Sequence, residues 1–286
     1  MTVLSGATWL VWRNNRQAAV VGGVLACGAA AALVVVAILE TAEPTGSVHT
    51  MGRAFEALLI GAPAVAGVFM GAPLLSADFE RGTNLLIWTQ GMTRRRWAAA
   101  NLSLLIALSA LAAAVMAVGA QIWITHLPKN TYNPTYGSTW EIYDLQAPVV
   151  FSYVLFAVAL GAAAGAALRR TVPAMAATLG IFIAVRVAFV ELVRPHLLPT
   201  ITRVVVSGTG NNSVVPPGAG YVDGTFLDSK LNPLPPGSPL SANTPISLVY
   251  QPAAHFWPMQ GIEAGIFVIL ALALLVAALR FATRDA

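Results

Sequence analysis

Long apolar runs separated by short polar segments predict helices that cross a membrane. Six uncharged or nearly uncharged runs have the roughly 20-residue length that a bilayer span requires; they cover residues 18–39, 58–75, 98–124, 148–168, 172–193 and 261–281. The first run is longer than the about 7 to 15 apolar residues of a signal-peptide core, and more spans follow it. We therefore expect it to be a retained transmembrane helix.

The polar segments between these spans differ in character. Residues 1–17 combine tryptophans with Arg13 and Arg16, which is typical of an amphipathic helix at the membrane interface, although a disordered leader is an alternative. Residues 125–147 are aromatic and fit a loop at the outer interface. Residues 194–260 contain eleven of the eighteen prolines and predict an extended, turn-rich extracellular lobe, with one short strand possible over residues 203–207.

These segments give an all-α membrane protein with six transmembrane helices as the expected fold. The expected order is an interfacial helix (1–17), five spans (18–193), the lobe (194–260), and the sixth span with a short tail (261–286). Gly67 and Gly71 in the second span, and Gly161 and Gly165 in the fourth, are each four residues apart. This spacing favours close helix packing.

The composition of the chain supports a membrane location and limits the kinds of partner that we expect. Hydrophobic residues make up 57% of the chain and charged residues 10%, and the mean hydropathy is +0.72. The basic residues cluster at helix ends and form no continuous stripe, so nucleic acid is not an expected partner. Cys27 is the only cysteine, which excludes an internal disulfide or a Cys-based zinc site within one chain.

The distribution of arginine predicts the orientation. With both termini in the cytoplasm, the two short outer loops hold only Arg53 and Lys129. Ten arginines then lie inside: Arg13, Arg16, Arg81, Arg94, Arg95, Arg96, Arg169, Arg170, Arg280 and Arg284. The abundance of alanine and arginine is typical of a GC-rich bacterial genome. We therefore expect a multi-pass protein of the bacterial cell membrane, in contact with the lipid bilayer and with cytoplasmic termini.

Residues 76–97 are the one long polar interruption with dense charge. Acidic residues come first and Arg94, Arg95 and Arg96 last, as suits the two ends of a short helix. Gly82 and Gly91 bracket this helix, which would be an amphipathic rod of roughly 12 Å over residues 83–90. The rod could dock into a partner, or it could be an ordinary interfacial helix with a cationic anchor.

The run PLLSADFERGTNLLIWTQGMTRRRWAAANL resembles the connection between the second and third transmembrane helices of ABC-2 type permeases, the membrane subunits of ATP-binding-cassette exporters. An acidic residue followed by Gly-Thr, a Trp-Thr-Gln common in actinobacterial members, and a Thr-Arg pair with a following aromatic carry the resemblance. Asn101 departs from a lysine that many members have. The segment YQPAAHFWPMQGIE also resembles the stretch before the final helix of these relatives.

In that family this connection holds the coupling helix, which the ATPase subunit grips. The resemblance therefore implies that contacts with the ATPase involve Asp78, Glu80, Arg81, Gly82, Thr83, Trp88, Thr89, Gln90, Thr93, Arg94, Arg95 and Trp97. It also implies two copies of a separate ABC ATPase subunit that binds Mg-ATP, and a second permease chain in a homodimer or heterodimer. The implied function is export of a small apolar or amphipathic solute.

Catalytic motifs are missing from the sequence. No GxxxxGK[ST] phosphate loop, GxSxG or HExxH is present, so we expect no enzymatic activity, no cofactor and no metal site in this chain. A membrane scaffold or sensor without transport is the alternative function. An intramembrane enzyme is disfavoured, because the only polar groups that could face one another within the spans are those around Arg186.

Arg186 needs a partner or a route to water, because an arginine at the centre of a membrane costs about 2.5 to 3.5 kcal/mol on insertion scales. It lies in the outer half of the fifth span, at a depth similar to that of Glu191, Glu56 and Glu263. We predict that Arg186 pairs with one of these acids and helps to hold an outer gate shut. Snorkelling of Arg186 to the outer headgroups is the alternative.

Overall fold

The computed structural model describes residues 60–83, 93–126, 140, 142–206, 216, 218–235, 237–239 and 244–284, with isolated positions 28, 31, 35 and 38. This part of the chain is mostly helical and contains five helices that are long and apolar enough to cross a membrane. The interfacial helix predicted for residues 1–17, and all but four positions of the first predicted span, lie outside the described residues.

The five helices, numbered in chain order, are α1 (Ile60–Arg81), α2 (Arg94–His126), α3 (Ala147–Leu168), α4 (Thr171–Ala188) and α5 (Phe256–Thr283). Helix α1 includes a π-helical turn over Gly67–Gly71. Helix α4 continues through a π-helical turn (Phe189–Val193) and a 3-10 turn (Arg194–His196). Another 3-10 turn, Tyr143–Leu145, precedes α3.

Helix α3 is the central helix of the bundle. In its most apolar stretch 83% of the residues are buried, against 22% in α4 and in α5, and it packs against each of the other four helices. The outer helices expose large apolar side chains such as Leu111, Val187 and Ile269. An apolar outer surface is stable where it faces lipid, so this pattern agrees with a multi-pass membrane protein.

Glycines allow α1 and α3 to touch through their backbones. A Cβ atom added at Gly67 would lie 2.5 Å from the carbonyl oxygen of Ala157, and one at Gly71 would lie 2.5 Å from that of Val158. On the facing helix, Gly161 and Gly165 meet the backbone of α1 in the same way. The two four-residue spacings therefore pack against each other, and the close approach that they predicted is present.

Helix ends extend beyond the apolar runs that predicted them. The second span was expected to end at residue 75, but α1 continues through Ser76 and Glu80 to Arg81; α2 begins at Arg94, four residues before the predicted start. Hydropathy marks where a helix leaves the hydrocarbon, whereas backbone hydrogen bonds continue until a cap stops them. Six residues at the start of the 76–97 segment are therefore part of α1.

The lobe contains a sheet that sequence analysis did not predict beyond one possible strand. Strands β1 (Ile201–Val206), β2 (Gly220–Phe226) and β3 (Pro245–Gln251) form an antiparallel sheet in the order β1-β3-β2. The all-α description therefore holds for the membrane part only. The many Pro and Gly residues of this region predicted turns and gave no indication of β2 and β3. The pairing of these strands joins segments far apart in sequence, so no local pattern indicates it.

The two ends of the helix bundle differ, because most arginines of the described helices lie at one end and the sheet lies at the other. The end of α1, the starts of α2 and α4, and the ends of α3 and α5 lie together and carry Arg81, Arg94, Arg95, Arg96, Arg169, Arg170, Arg280 and Arg284; we call this the arginine end. The opposite end carries the sheet and is called the sheet end. There, the indole of Trp140 donates a hydrogen bond to the carbonyl oxygen of Gly218 (3.0 Å) and packs on Gly220.

Candidate functional site

Glu80 connects two helices at the arginine end. Its carboxylate Oε2 accepts hydrogen bonds from the backbone N–H of Thr171 (3.1 Å) and from the Thr171 hydroxyl (2.7 Å). Thr171 is the first residue of α4, where backbone N–H groups have no partner within the helix and the helix dipole favours a negative charge. The carboxylate of α1 therefore caps α4.

Ser76 adds a second contact between the same two helices. It lies one helical turn before Glu80, on the same face of α1, and is fully buried. Its hydroxyl donates to the carbonyl oxygen of Ala72 (2.7 Å) and lies 3.2 Å from the hydroxyl oxygen of Thr171. The end of α1 is thus joined to the start of α4 through a single threonine.

Aromatic packing joins the end of α1 to the start of α2. Phe79 contacts Trp97 edge to face, with ring centroids 5.6 Å apart, and Trp97 is 1% exposed. The guanidinium of Arg169 lies over the ring of Phe79, 5.1 Å from its centroid. The side-chain amide of Asn101 donates to the carbonyl oxygen of Trp97 (3.0 Å).

Two residues of the family signature set the ends of these helices. Gly82 has φ +68° and ends α1 in the left-handed conformation that glycine adopts at low cost. Thr93 precedes α2, and its hydroxyl accepts from the backbone N–H of Arg96 at 3.4 Å. Thr83 donates to the carboxylate of Asp78 (2.9 Å), which is itself buried.

The other residues assigned to ATPase contact divide into two groups. Arg81 and Arg95 are exposed and Arg94 is half-buried, so this end presents guanidinium groups to a partner. Trp88, Thr89 and Gln90 lie outside the described residues, as does nearly all of the predicted rod over residues 83–90. Contact of these residues with an ATPase stays a prediction.

A cluster of two acids and two arginines lies at the sheet end. It consists of Asp144 before α3, Arg186 and Arg194 at the end of α4, and Glu263 in α5; we call it the ion cluster. Arg186 is 2.8 Å from Asp144, and Arg194 is 2.5 Å from Asp144. Arg194 also donates to both oxygens of Glu263, at 2.8 and 3.1 Å. The cluster thus ties together α3, α4 and α5.

Tyr153 completes the ion cluster from α3. Its hydroxyl accepts from Arg186 (2.8 Å) and Arg194 (3.1 Å) and donates to Glu263. The guanidinium of Arg186 also lies 4.0 Å from the ring centroid of Tyr153, a cation–π distance. The side chain of Glu263 is 0% exposed, and Arg194 and Tyr153 both hydrogen-bond to its carboxyl group. A buried carboxylate is tolerated because it is paired and hydrogen-bonded.

Asp144 lies outside the membrane-spanning helices, in the turn before α3. Burial opposes its ionisation, but the charges and hydrogen bonds of Arg194 and Arg186 outweigh that effect, so the pKa of Asp144 lies below its ordinary value. The carboxylate is therefore charged at neutral pH. Its two oxygens hold the two arginines side by side.

Of the residues predicted to form an outer gate, Arg186 and Glu263 belong to the ion cluster, whereas Glu191 is not part of it among the described contacts. Arg186 has Asp144 as its nearest acid, which sequence analysis did not name, and lies 4.0 Å from Glu263. Glu191 is exposed and makes no ion pair with a described residue, and Glu56 lies outside the described residues. Sequence analysis also missed Arg194 and Tyr153. The sequence held a signal for Asp144 as a partner of Arg186. Asp144 lies four residues before the apolar run 148–168, which places it near the outer end of its helix, close to the depth of Arg186.

Within the described ranges, no group of three or more His, Cys, Asp or Glu side chains could hold a metal ion. Both candidate sites join neighbouring helices through hydrogen bonds and ion pairs. Such contacts fix helix positions and can change when a partner moves a helix.

Comparison with known protein families places most of the chain in a membrane transporter family. The model of the family described as ABC-2 membrane transporter related matches residues 1–194. This range includes α1 to α4 and ends at Arg194, before the sheet and α5. No curated protein and no solved structure was found to match. Membership of this family implies association with an ABC ATPase subunit. Because the match covers more than half of the sequence, the chain belongs to the ABC-2 membrane transporter related family.

Proposed function

We propose that this chain is the permease subunit of an ABC exporter that moves a small apolar or amphipathic solute out of the cell. Mg-ATP is hydrolysed on a separate ATPase subunit, present in two copies, and a second permease chain completes the pathway. The family match over residues 1–194 is the observation that carries the proposal. The apolar helices, with their small residues at contacts, support an apolar cargo.

The arginine end is the proposed docking side for the ATPase. It faces the cytoplasm under the positive-inside rule, because the arginines of the described helices collect there. Residues 76–97, the coupling segment, connect two helices whose ends are held together by Phe79 and Trp97. A push on this segment therefore reaches both α1 and α2. The ion cluster at the opposite end then serves as the outer gate.

Co-purification from the native host tests the partner. The full-length chain carrying an affinity tag should retain an ABC ATPase, and mass spectrometry of the same sample should identify bound solute. Arg95→Glu should weaken retention of the ATPase, because Arg95 is exposed at the proposed docking side. Arg203→Glu is the matched control, since Arg203 is an exposed arginine on β1 at the sheet end. A wild-type chain that retains no ATPase would refute the proposal.

Labelling of single cysteines tests the orientation. In a Cys27→Ser background, a membrane-impermeant maleimide applied to whole cells should label Leu231→Cys, which is exposed in the lobe, and should not label Arg95→Cys. Labelling of Arg95→Cys from outside would overturn the assignment of the arginine end to the cytoplasm.

The alternative function, a scaffold or sensor without transport, has its own expected result. The chain would then retain an ATPase, but the nucleotide cycle of that ATPase would move no helix of the chain.

A further inference from the structure

Helix α4 packs on the bundle along one line and has polar contacts at its two ends. The residues that it buries form one narrow stripe, Ala174, Thr178, Phe182 and Arg186, at intervals of four. Such a stripe is a single line of contact along the helix. The rest of α4 is largely exposed, including Val172 and Val187. The polar contacts at the arginine end and in the ion cluster therefore add to this single line of packing in positioning α4.

Thr171 is the only residue of the described α4 that is hydrogen-bonded to the coupling segment, and it donates two bonds to Glu80. Both Ser76 and Glu80 belong to that segment, and both contact Thr171. The bond to a carboxylate is charge-assisted and hence stronger than a bond between neutral groups. At the other end of the same rod, Arg186 lies about 22 Å away at 1.5 Å per residue. A displacement of α1 at Glu80 thus reaches α4 through one residue, by its backbone N–H and its hydroxyl.

We propose that Thr171 is a positioning residue that transmits movement of the coupling segment to α4, and through α4 to Arg186 and Arg194 in the ion cluster. The inference deepens the proposed function and rests on it. The contacts of Thr171 persist throughout the transport cycle, so that α4 follows α1. When α4 moves, the distances from its two arginines to Asp144 and Glu263 change, and the two ends of the protein are coupled.

Distance measurements on the reconstituted complex with its ATPase test this relay. Spin labels at Leu111→Cys on α2 and Val187→Cys on α4, both exposed, report the position of α4 in a Cys27→Ser background. Labelled chain is diluted with unlabelled chain so that distances within one chain dominate. Binding of a non-hydrolysable ATP analogue should shift the distance in the wild type.

Substitutions at Thr171 separate the relay from general stability. Thr171→Val keeps the volume and the backbone N–H but loses the hydroxyl. It should reduce the equilibrium ratio of shifted to unshifted distances in the presence of nucleotide by roughly tenfold, the loss expected for a hydrogen bond to a charged group. Thr171→Ser keeps the hydroxyl and should restore the shift. Thr178→Val is the matched control, because the Thr178 hydroxyl bonds only within its own helix. An unchanged shift in Thr171→Val would overturn the relay.

A disulfide distinguishes a relay from a contact that must open. The hydroxyl oxygens of Ser76 and Thr171 are 3.2 Å apart, so the pair Ser76→Cys and Thr171→Cys is placed to form a bond after a small adjustment. The reduced pair lacks the Thr171 hydroxyl and should behave like Thr171→Val, whereas the oxidised pair should show the full shift. Loss of the shift on oxidation, recovered by reductant, would overturn the relay.

The outcomes also separate the relay from the proposed function. If the wild-type complex contains the ATPase and shows the nucleotide-dependent shift, but Thr171→Val shows the same shift, only the relay is wrong. If the wild-type chain retains no ATPase, the proposed function fails and the relay fails with it.

Discussion

Gly161→Ala should destabilise the protein by forcing α1 and α3 apart. A Cβ at this position would lie 2.6 Å from the backbone nitrogen of Ala72 and 2.9 Å from the carbonyl carbon of Gly71, with the carbonyl oxygen of Gly67 nearer still. Comfortable contacts of a carbon atom are about 3.5 Å. The obstructing atoms belong to the backbone and cannot rotate away, so the helices must separate by about 1 Å.

The cost of this separation can be set against a matched control. Overpacking of a tight contact costs about 1 to 3 kcal/mol. Replacing a helical glycine with alanine also gains roughly 1 kcal/mol in helix propensity, which partly masks the cost. Gly265→Ala in α5 has the same gain, and a Cβ there meets no atom within 4 Å. The difference between the two variants therefore isolates the overpacking cost.

Thermal unfolding of the purified full-length chain in detergent is the assay. At about 2 to 4 °C per kcal/mol for a chain of this size class, Gly161→Ala should unfold several degrees below Gly265→Ala. Gly265→Ala itself should match or exceed the wild type. A Gly161→Ala variant as stable as Gly265→Ala would refute the close backbone contact between α1 and α3.

Three further predictions concern the two clusters and one helix end. Glu263→Gln should lower the free energy of unfolding by about 3 to 5 kcal/mol, because Arg194 loses a buried charged partner. Glu191→Gln, at an exposed position, is the control and should change that free energy by less than about 0.5 kcal/mol. Equal unfolding temperatures for Glu263→Gln and Glu191→Gln would contradict the ion cluster. Because the pKa of Asp144 lies below its ordinary value of 3.8, its stabilisation is complete above that pH and is lost as the pH falls through the folded-state pKa. The wild type should therefore lose its advantage over Asp144→Asn in unfolding temperature below about pH 4, and a constant difference down to about pH 2 would argue against the pairing. Gly82→Ala should cost about 1 to 2 kcal/mol in the same unfolding assay, since φ +68° disfavours a Cβ; an unchanged midpoint would mean that the left-handed cap contributes nothing.

Local sequence patterns predicted the helices of this protein well. A span is recognised from its own residues, because length and hydropathy decide whether a segment is stable in lipid. Five of the six expected spans correspond to described helices, and the sixth, residues 18–39, lies largely outside the described residues. The close glycine contact of α1 and α3 was also marked in each helix by the spacing of its own small residues.

The candidate sites were predicted less completely. Glu80, Gly82 and Thr93 were selected by resemblance as residues that contact a partner. The structure shows that each also has a role within the chain: Glu80 caps α4, Gly82 ends α1 and Thr93 begins α2. Arg186 was selected because a charge within a span is costly, but the acid that lies nearest to it, Asp144, is in a turn.

The sequence by itself determined which segments are long and apolar enough to cross a membrane and at which helix ends the arginines lie, because those properties belong to continuous segments. Only the tertiary structure decided that Thr171 meets Glu80, that Arg194 joins Asp144 to Glu263, and that three strands separated by turns form one sheet. Each of these contacts joins residues from segments distant along the chain. Which segments become neighbours is fixed by the packing of the whole bundle, and no local pattern records it.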